Sequence, residues 1–335
     1  MKVAVVGAGS WGTTVAAITA ANAETYLWVR RPELAQRIES THENADYLPG
    51  VALPENLRAT SSLEEACTGA GVIVMGVPSH GFREVLEDAR AFIDASVPVV
   101  SLSKGVEQGT LRRMTEVVAE VLEGHDRDRI GVLTGPNLAR EVAAGQPTAT
   151  VVAVRDEATA EKLQTLFWAP AFRVYTNPDV VGCEIAGALK NVLAIGAGIA
   201  DGLGYGDNTK AALMTRGLAE LARLGVALGG EPLTFAGLAG MGDLIATCSS
   251  PQSRNRHVGV ELGKGRSIDE VVTEMNMVAE GVKTTAAVLE LASRNAIEMP
   301  LASFVGRVLY EGARPADLVP ELMLRKAKPE LHGIR

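Results

Sequence analysis

Lys190 lies in a stretch, residues 183–197, that carries one other charge, Glu184. Read as a helix, the stretch places Cys183, Ala186, Gly187, Leu193, Ala194 and Ala197 around the lysine at helical spacings. This largely small-residue stripe leaves room for a ligand or for a closely approaching backbone. A lysine placed there loses hydration and its pKa falls, which suits it to polarise a carbonyl and to act as an acid or base. The competing reading is a lysine that snorkels out of a core helix. Asp243 follows Gly240-Met241-Gly242, where it either pairs with a lysine or caps the next helix. Ser253-Arg254-Asn255-Arg256-His257 is a dense run of phosphate-type donors. Arg254 suits a substrate phosphate, against a solvated helix start. Glu280, after Val278-Ala279, puts an acid at a helix head, where it also serves the dipole.

A second constellation opens the chain. Gly7-Ala8-Gly9-Ser10-Trp11-Gly12 sits between an apolar run, Val3–Val6, and a helical segment from about Ser10 to Ala21. In that context Gly7 makes a tight turn, Gly9 lets backbone N–H groups approach a pyrophosphate, and Gly12 allows close helix–strand packing. A plain tight turn is the alternative. The next apolar run ends in Arg30-Arg31, where an acidic ribose ligand is usual. A guanidinium there grips a 2′-phosphate, so NADP(H) is the preferred cofactor and NAD(H) the second; a solvated Arg30 is the other reading. Lys104 in Ser101-Leu102-Ser103-Lys104-Gly105 and the loop Thr134-Gly135-Pro136-Asn137 each follow a strand-like run, where open sheets hold ligands.

These residues need elements to position them. Val3–Val6, Thr25–Val29, Val72–Gly76, Pro98–Leu102, Ile130–Leu133, Thr148–Val154 and Phe172–Thr176 read as strands, the first six suiting parallel strands buried on both faces. Helix starts lie between them, with Pro32 in a first turn and overlapping capping boxes at Ser61-Ser62-Leu63-Glu64-Glu65. Past Pro178 strands give way to helices, predicted over 180–200, 208–228, 267–277, 281–294, 301–311 and 315–326. The expected architecture is a Rossmann-type α/β dinucleotide-binding domain over 1–180 and an all-α substrate-binding and catalytic domain over 181–335.

Composition narrows the class. Of 335 residues, 47% are hydrophobic and 21% charged, as in a chain with a real core. The formal charge of −8 argues against a nucleic-acid surface. Cys67, Cys183 and Cys248 are far apart and read as free thiols of a reducing compartment. Five scattered histidines give no metal-site spacing. No uninterrupted apolar run reaches membrane-spanning length and no secretion signal opens the chain. A cytoplasmic enzyme is expected.

The residues resemble one family throughout, the NAD(P)-dependent glycerol-3-phosphate dehydrogenases of the soluble bacterial type. The likeness runs through Gly7–Gly12, Gly135-Pro136-Asn137-Leu138-Ala139, Leu189–Gly198, Thr215–Glu220, Gly240–Leu244, Ser253–Arg256 and Val278–Gly281. It implies reversible reduction of dihydroxyacetone phosphate to sn-glycerol 3-phosphate, feeding phospholipid synthesis, and a second domain like the helical C-terminal domain of 6-phosphogluconate dehydrogenase. It also implies that Ser10, Trp11, Arg30, Arg31, Tyr47, Lys104, Ala139, Arg254, Val278 and Glu280 contact the cofactor. Lys104, Gly135, Asn137, Lys190, Asn191, Asp243, Thr247, Ser253, Arg254 and Asn255 would contact substrate, with Lys190 as acid/base beside Asp243. Asn137 departs from the family's usual Ser or Thr. Two rivals stand beside this reading: another two-domain dehydrogenase, acting on a hydroxy acid or sugar phosphate, and a non-catalytic NADP(H)-sensing protein that needs neither Lys190 nor Asp243. A homodimer through the helical half is one expectation for assembly.

Overall fold

A computed structural model describes residues 1–275 and 279–329 and divides the chain into two compact units. The first comprises Met1–Ser103 and Arg112–Val180. Its strands are β1 (Lys2–Val6), β2 (Glu24–Trp28), β3 (Leu57–Thr60), β4 (Val72–Met75), β5 (Val99–Ser101), β6 (Ile130–Thr134), β7 (Thr148–Ala153) and β8 (Phe172–Asn177). They form one sheet in the order β3-β2-β1-β4-β5-β6-β7-β8. The first six strands reproduce the doubly wound dinucleotide-binding order.

Alternation along β1 sends Val3 and Val5 into one layer and Ala4 and Val6 into the other. Helices α1 (Ser10–Ala20) and α2 (Pro32–Thr41) supply Val15, Ala16, Leu34 and Ile38 to the first layer. The second is filled from α3 (Leu63–Cys67), α4 (Phe82–Ala89) and α5 (Met114–Val121) by Cys67, Phe82, Leu86, Met114 and Val117. The capping signal before α3 acts as expected, Ser62 accepting from the Glu65 N–H at 3.1 Å. Two further helices, α6 (Ala139–Ala143) and α7 (Glu157–Leu166), complete the unit.

Two strand expectations are corrected. β3 has no counterpart in the predicted set, and β7 runs antiparallel to β6, not parallel. Between β6 and β7 the only helix is the five-residue α6. At about 1.5 Å per residue it does not return the chain to the starting end of the sheet, so the next strand runs back.

The second unit comprises Lys104–Leu111 and Val181–Arg335, so a division of the sequence at residue 180 leaves the first of these segments in the other half. Its main helices are α8 (Val180–Gly202), α9 (Asp207–Ala227), α10 (Pro232–Phe235), α11 (Asp243–Ser249), α12 (Arg254–Gly263), α13 (Ile268–Glu274), α14 (Glu280–Arg294), α15 (Pro300–Tyr310) and α16 (Pro315–Met323). α8 is long and apolar enough to cross a membrane, yet 94% of its apolar window is buried, as in a core helix. α8 and α12 meet glycine to glycine. A Cβ at Gly198 would collide with the Arg256 carbonyl and the Gly259 Cα, and one at Gly202 with the Val260 carbonyl and the Gly263 Cα. The Arg256 guanidinium clamps the same pair of helices by bonding Asp201, Nε to Oδ2 at 2.8 Å.

Glu220, within α9, is 2% exposed and caps α15, accepting from the N–H groups of Leu301 at 2.8 Å and Ala302 at 3.2 Å. Burial pushes its carboxyl up to about 7, against the opposing pull of those two donors. The folded pKa lies above the unfolded one, so folded protein holds the extra proton between them. The associated stability is therefore full below the unfolded value and is lost as pH rises through about 7. At about 1.4 kcal/mol per unit, the loss across this window is roughly 3 kcal/mol. Glu220→Gln should flatten this part of the stability profile, measured by urea unfolding at pH values on either side of the window. Identical pH slopes in the two proteins would contradict the assignment.

Candidate active site

In the first unit the glycine loop is a packed crossing. Gly7 has φ +119°, and a Cβ at Gly12 would strike the Gly7 carbonyl. Gly76, at the end of β4, completes the contact, with its own virtual Cβ 3.2 Å from the Gly7 oxygen. At Gly9, the extended N-cap of α1, a Cβ would meet nothing within 4 Å, and no side chain caps the helix. The first-turn N–H groups of α1 therefore suit an anion, as a pyrophosphate requires. Trp11, in the same turn, has a buried Nε1 with no partner among the described residues. The residues present fit a dinucleotide.

Around this loop the structure gathers several of the predicted residues. The Ser10 hydroxyl donates to the Tyr47 carbonyl at 2.6 Å, and the Thr14 hydroxyl reaches the Ala139 carbonyl at 3.4 Å. Arg31 is committed elsewhere: its guanidinium bonds Asp46 and lies 5.9 Å from the centre of the Tyr47 ring. Arg30 is exposed and has no ion pair among the described residues. Gly135, at φ +138°, and Asn137 lie in the loop after β6, and Asn137 Nδ2 donates to Thr150 Oγ1 at 2.9 Å.

Two residues here escaped the sequence reading. Asn44 is fully buried and donates to the Ala8 carbonyl at 2.9 Å and to Thr13 Oγ1 at 2.8 Å, bracing the glycine loop from beneath. Asp46 holds both Arg31 and Arg37. Both lie in the polar run Thr41–Asp46, which has no periodicity to mark them.

In the second unit Lys190 is 5% exposed and does not snorkel. Its Nζ bonds Asp243 Oδ1 and donates to Thr247 Oγ1 at 2.7 Å. The other carboxylate oxygen of Asp243 takes Lys104 Nζ at 2.7 Å, so one acid holds two ammonium groups. Asp243 is 1% exposed and is the first residue of α11, following the π-type turn Leu238–Gly242. Its side chain pairs with lysines and does not cap the helix. Burial pushes the Lys190 ammonium down to about 7; Asp243 opposes the fall and the Lys104 charge adds to it.

A chain of amides frames this cluster. Asn191 Nδ2 donates to the Lys104 carbonyl at 3.1 Å, Asn255 Nδ2 to Asn191 Oδ1 at 2.9 Å, and the Gly281 N–H to Asn255 Oδ1 at 2.9 Å. Ser253 is the N-cap of α12, accepting from the Arg256 N–H at 3.2 Å, and Arg254 is exposed in the first turn. Arg256, grouped by sequence with the phosphate donors, is engaged by Asp201. Glu280 begins α14 and is half-buried, while Val278 lies outside the described residues.

A doubly wound sheet with a nucleotide-type glycine loop, and a helical unit that buries a lysine against an aspartate, define a two-unit nucleotide-dependent dehydrogenase. The N-terminal family model of NAD-dependent glycerol-3-phosphate dehydrogenase matches residues 2–160, and the C-terminal model matches 179–320. The chain is 56% identical over 332 residues to glycerol-3-phosphate dehydrogenase [NAD(P)+] 2 of Sphingopyxis alaskensis, covering 99% of each. It is 53% identical over 335 residues to glycerol-3-phosphate dehydrogenase [NAD(P)+] of Thermobifida fusca, again covering 99% of each. The crystal structure of glycerol-3-phosphate dehydrogenase from Coxiella burnetii superposes with a TM-score of 0.91 at 40% identity, covering 97% of this chain and 99% of that one. The chain belongs to the NAD-dependent glycerol-3-phosphate dehydrogenase family.

Proposed function

We propose that Lys190 is the acid/base in the reaction of this family, the reversible reduction of dihydroxyacetone phosphate to sn-glycerol 3-phosphate. The observation that carries this reading is the buried ammonium shared between Asp243 and Thr247. An ammonium has three protons. Two are engaged by those partners, and the third is left for a carbonyl oxygen. A nicotinamide held by the glycine loop would supply hydride to the ketone carbon. As charge grows on the oxygen, Lys190 stabilises it and gives up a proton; in the reverse direction it takes one back. Asp243 holds the ammonium in place and, with Lys104 on its second oxygen, keeps the carboxylate from turning. Arg254 takes the substrate phosphate, and the Asn191–Asn255 amides hold the Lys104 segment and the heads of α12 and α14 in register with Lys190. The glycine loop, Ser10, Trp11, Tyr47 and Ala139 hold the dinucleotide.

NADPH oxidation followed by absorbance tests the reading. Dihydroxyacetone phosphate should be turned over far faster than a panel of keto acids and other sugar phosphates. A faster keto acid would overturn the substrate assignment. The preference for NADPH rests on Arg30, since Arg31 is occupied by Asp46. A charge-assisted contact is worth about 10–150-fold in affinity. Arg30→Asp should therefore reverse the preference, chiefly through the apparent affinity of the cofactor, and equal use of NADPH and NADH by the unmodified enzyme would defeat it. The buried cysteines Cys67, Cys183 and Cys248, which form no disulfide, suit a reducing cytoplasm.

A further inference from the structure

One peptide plane of the glycine loop is set from behind. A trans peptide is planar, and its carbonyl and its N–H point in opposite directions. In the unit that joins Ala8 to Gly9, the carbonyl accepts from Asn44 Nδ2 at 2.9 Å. A carbonyl only accepts, so the atom facing it must be the amide nitrogen. The second proton on that nitrogen goes to Thr13 Oγ1 at 2.8 Å. With the carbonyl taken inward, the Gly9 N–H faces the other way and has no hydrogen-bond partner among the described residues. Gly9 is the N-cap of α1, so this N–H adjoins those of the first turn.

Glycine at this position makes a lock necessary. Without a Cβ, Gly9 reaches positive φ about as readily as the φ of −69° it has here, so the Ala8–Gly9 peptide can turn over at little steric cost. Turned over, it would present its carbonyl oxygen where the N–H now points, and a phosphate would meet an acceptor in place of a donor. Asn44 is suited to prevent this because it is itself held. It is fully buried, and its own carbonyl accepts from the Tyr47 N–H at 3.2 Å and the Leu48 N–H at 2.7 Å. The Ser10 hydroxyl closes the same contact from the loop side, on the Tyr47 carbonyl at 2.6 Å. We infer that Asn44 is a positioning residue for the cofactor: by fixing the Ala8–Gly9 peptide, it keeps the Gly9 N–H directed at the pyrophosphate of a bound dinucleotide. It acts through the loop and not by touching the ligand. The inference rests on the reading of the glycine loop as the dinucleotide site.

Two ligands test it, 2′-phospho-ADP-ribose, which carries the pyrophosphate, and adenosine 2′-phosphate, which does not. Their Kd values can be followed by tryptophan fluorescence, since Trp11 lies in the first turn of α1. In Asn44→Ala the first Kd should rise about tenfold or more, while the second stays within about twofold. KM for NADPH should rise likewise with kcat at saturating NADPH unchanged, a split that general loosening of the fold does not produce. Thr13→Val removes the second anchor of the amide but leaves its bond to Ala8, and should raise the first Kd by a smaller factor. Thermal unfolding checks that each variant is folded, and should Asn44→Ala fail to fold, Thr13→Val decides alone. Equal changes in the two Kd values, or none, in folded variants overturn the inference and leave the dinucleotide site standing. Failure of 2′-phospho-ADP-ribose to bind the unmodified enzyme would instead overturn the reading of the glycine loop, and the inference with it.

Discussion

Replacing Lys190 by alanine is expected to lower kcat for dihydroxyacetone phosphate by at least about 10²-fold, with NADPH binding retained. The loss falls on kcat because the third Nζ proton matters most when charge has developed on the carbonyl oxygen. Lys190→Arg should restore little, since a guanidinium keeps the charge but releases a proton poorly. The pH profile offers an independent check. Burial lowers the ammonium to about 7, and reduction requires it protonated, so the reductive kcat/KM should fall as pH rises through that value. Oxidation of glycerol 3-phosphate requires the neutral amine and should rise over the same range. A Lys190→Ala enzyme with near-normal kcat would leave the lysine as a buried structural ion pair.

Arg254→Ala is expected to reduce kcat/KM for dihydroxyacetone phosphate by about 10²-fold, the upper part of the range for a charge-assisted contact. The phosphate is remote from the reacting carbon, and its binding energy serves to orient the carbonyl. Unphosphorylated dihydroxyacetone, already a slow substrate, should therefore lose much less. Equal losses for both substrates would remove Arg254 from the phosphate and return it to its exposed place in the first turn of α12.

The parts of the molecule legible in sequence are those where local pattern and tertiary role agree. Apolar β-branched runs mark β1, β4 and β6, and the glycine triplet after β1 marks a crossing that Gly7 and Gly12 physically require. β3 was not legible, because Leu57-Arg58-Ala59-Thr60 is a short edge strand with one exposed charge and no continuous apolar run. α11 and α12 were hidden among glycines, serines and Pro251, whose local preference is for turns. The Lys190 stripe signalled a close approach, but spacing alone does not distinguish a snorkelling lysine from an inward one. That choice was made by Asp243, 53 residues away. Lys104 shows the same limit from the other side. It follows a strand of the first unit, yet its carbonyl and ammonium are bound by Asn191 and Asp243, which places it in the second.

The glycine contacts between α8 and α12 set a ruler. Lys190 and Arg254 stand on helices that meet backbone to backbone at Gly198, Gly202, Gly259 and Gly263. On the roles proposed for Lys190 and Arg254, the spacing of proton donor and phosphate holder is set by that backbone contact. Drift among ordinary core residues leaves that length untouched, while one methyl group added at Gly259 would press α12 away from α8. On the same proposal, a change in the chain length of the accepted substrate is expected to come from loops and side chains and not from the spacing of these two helices.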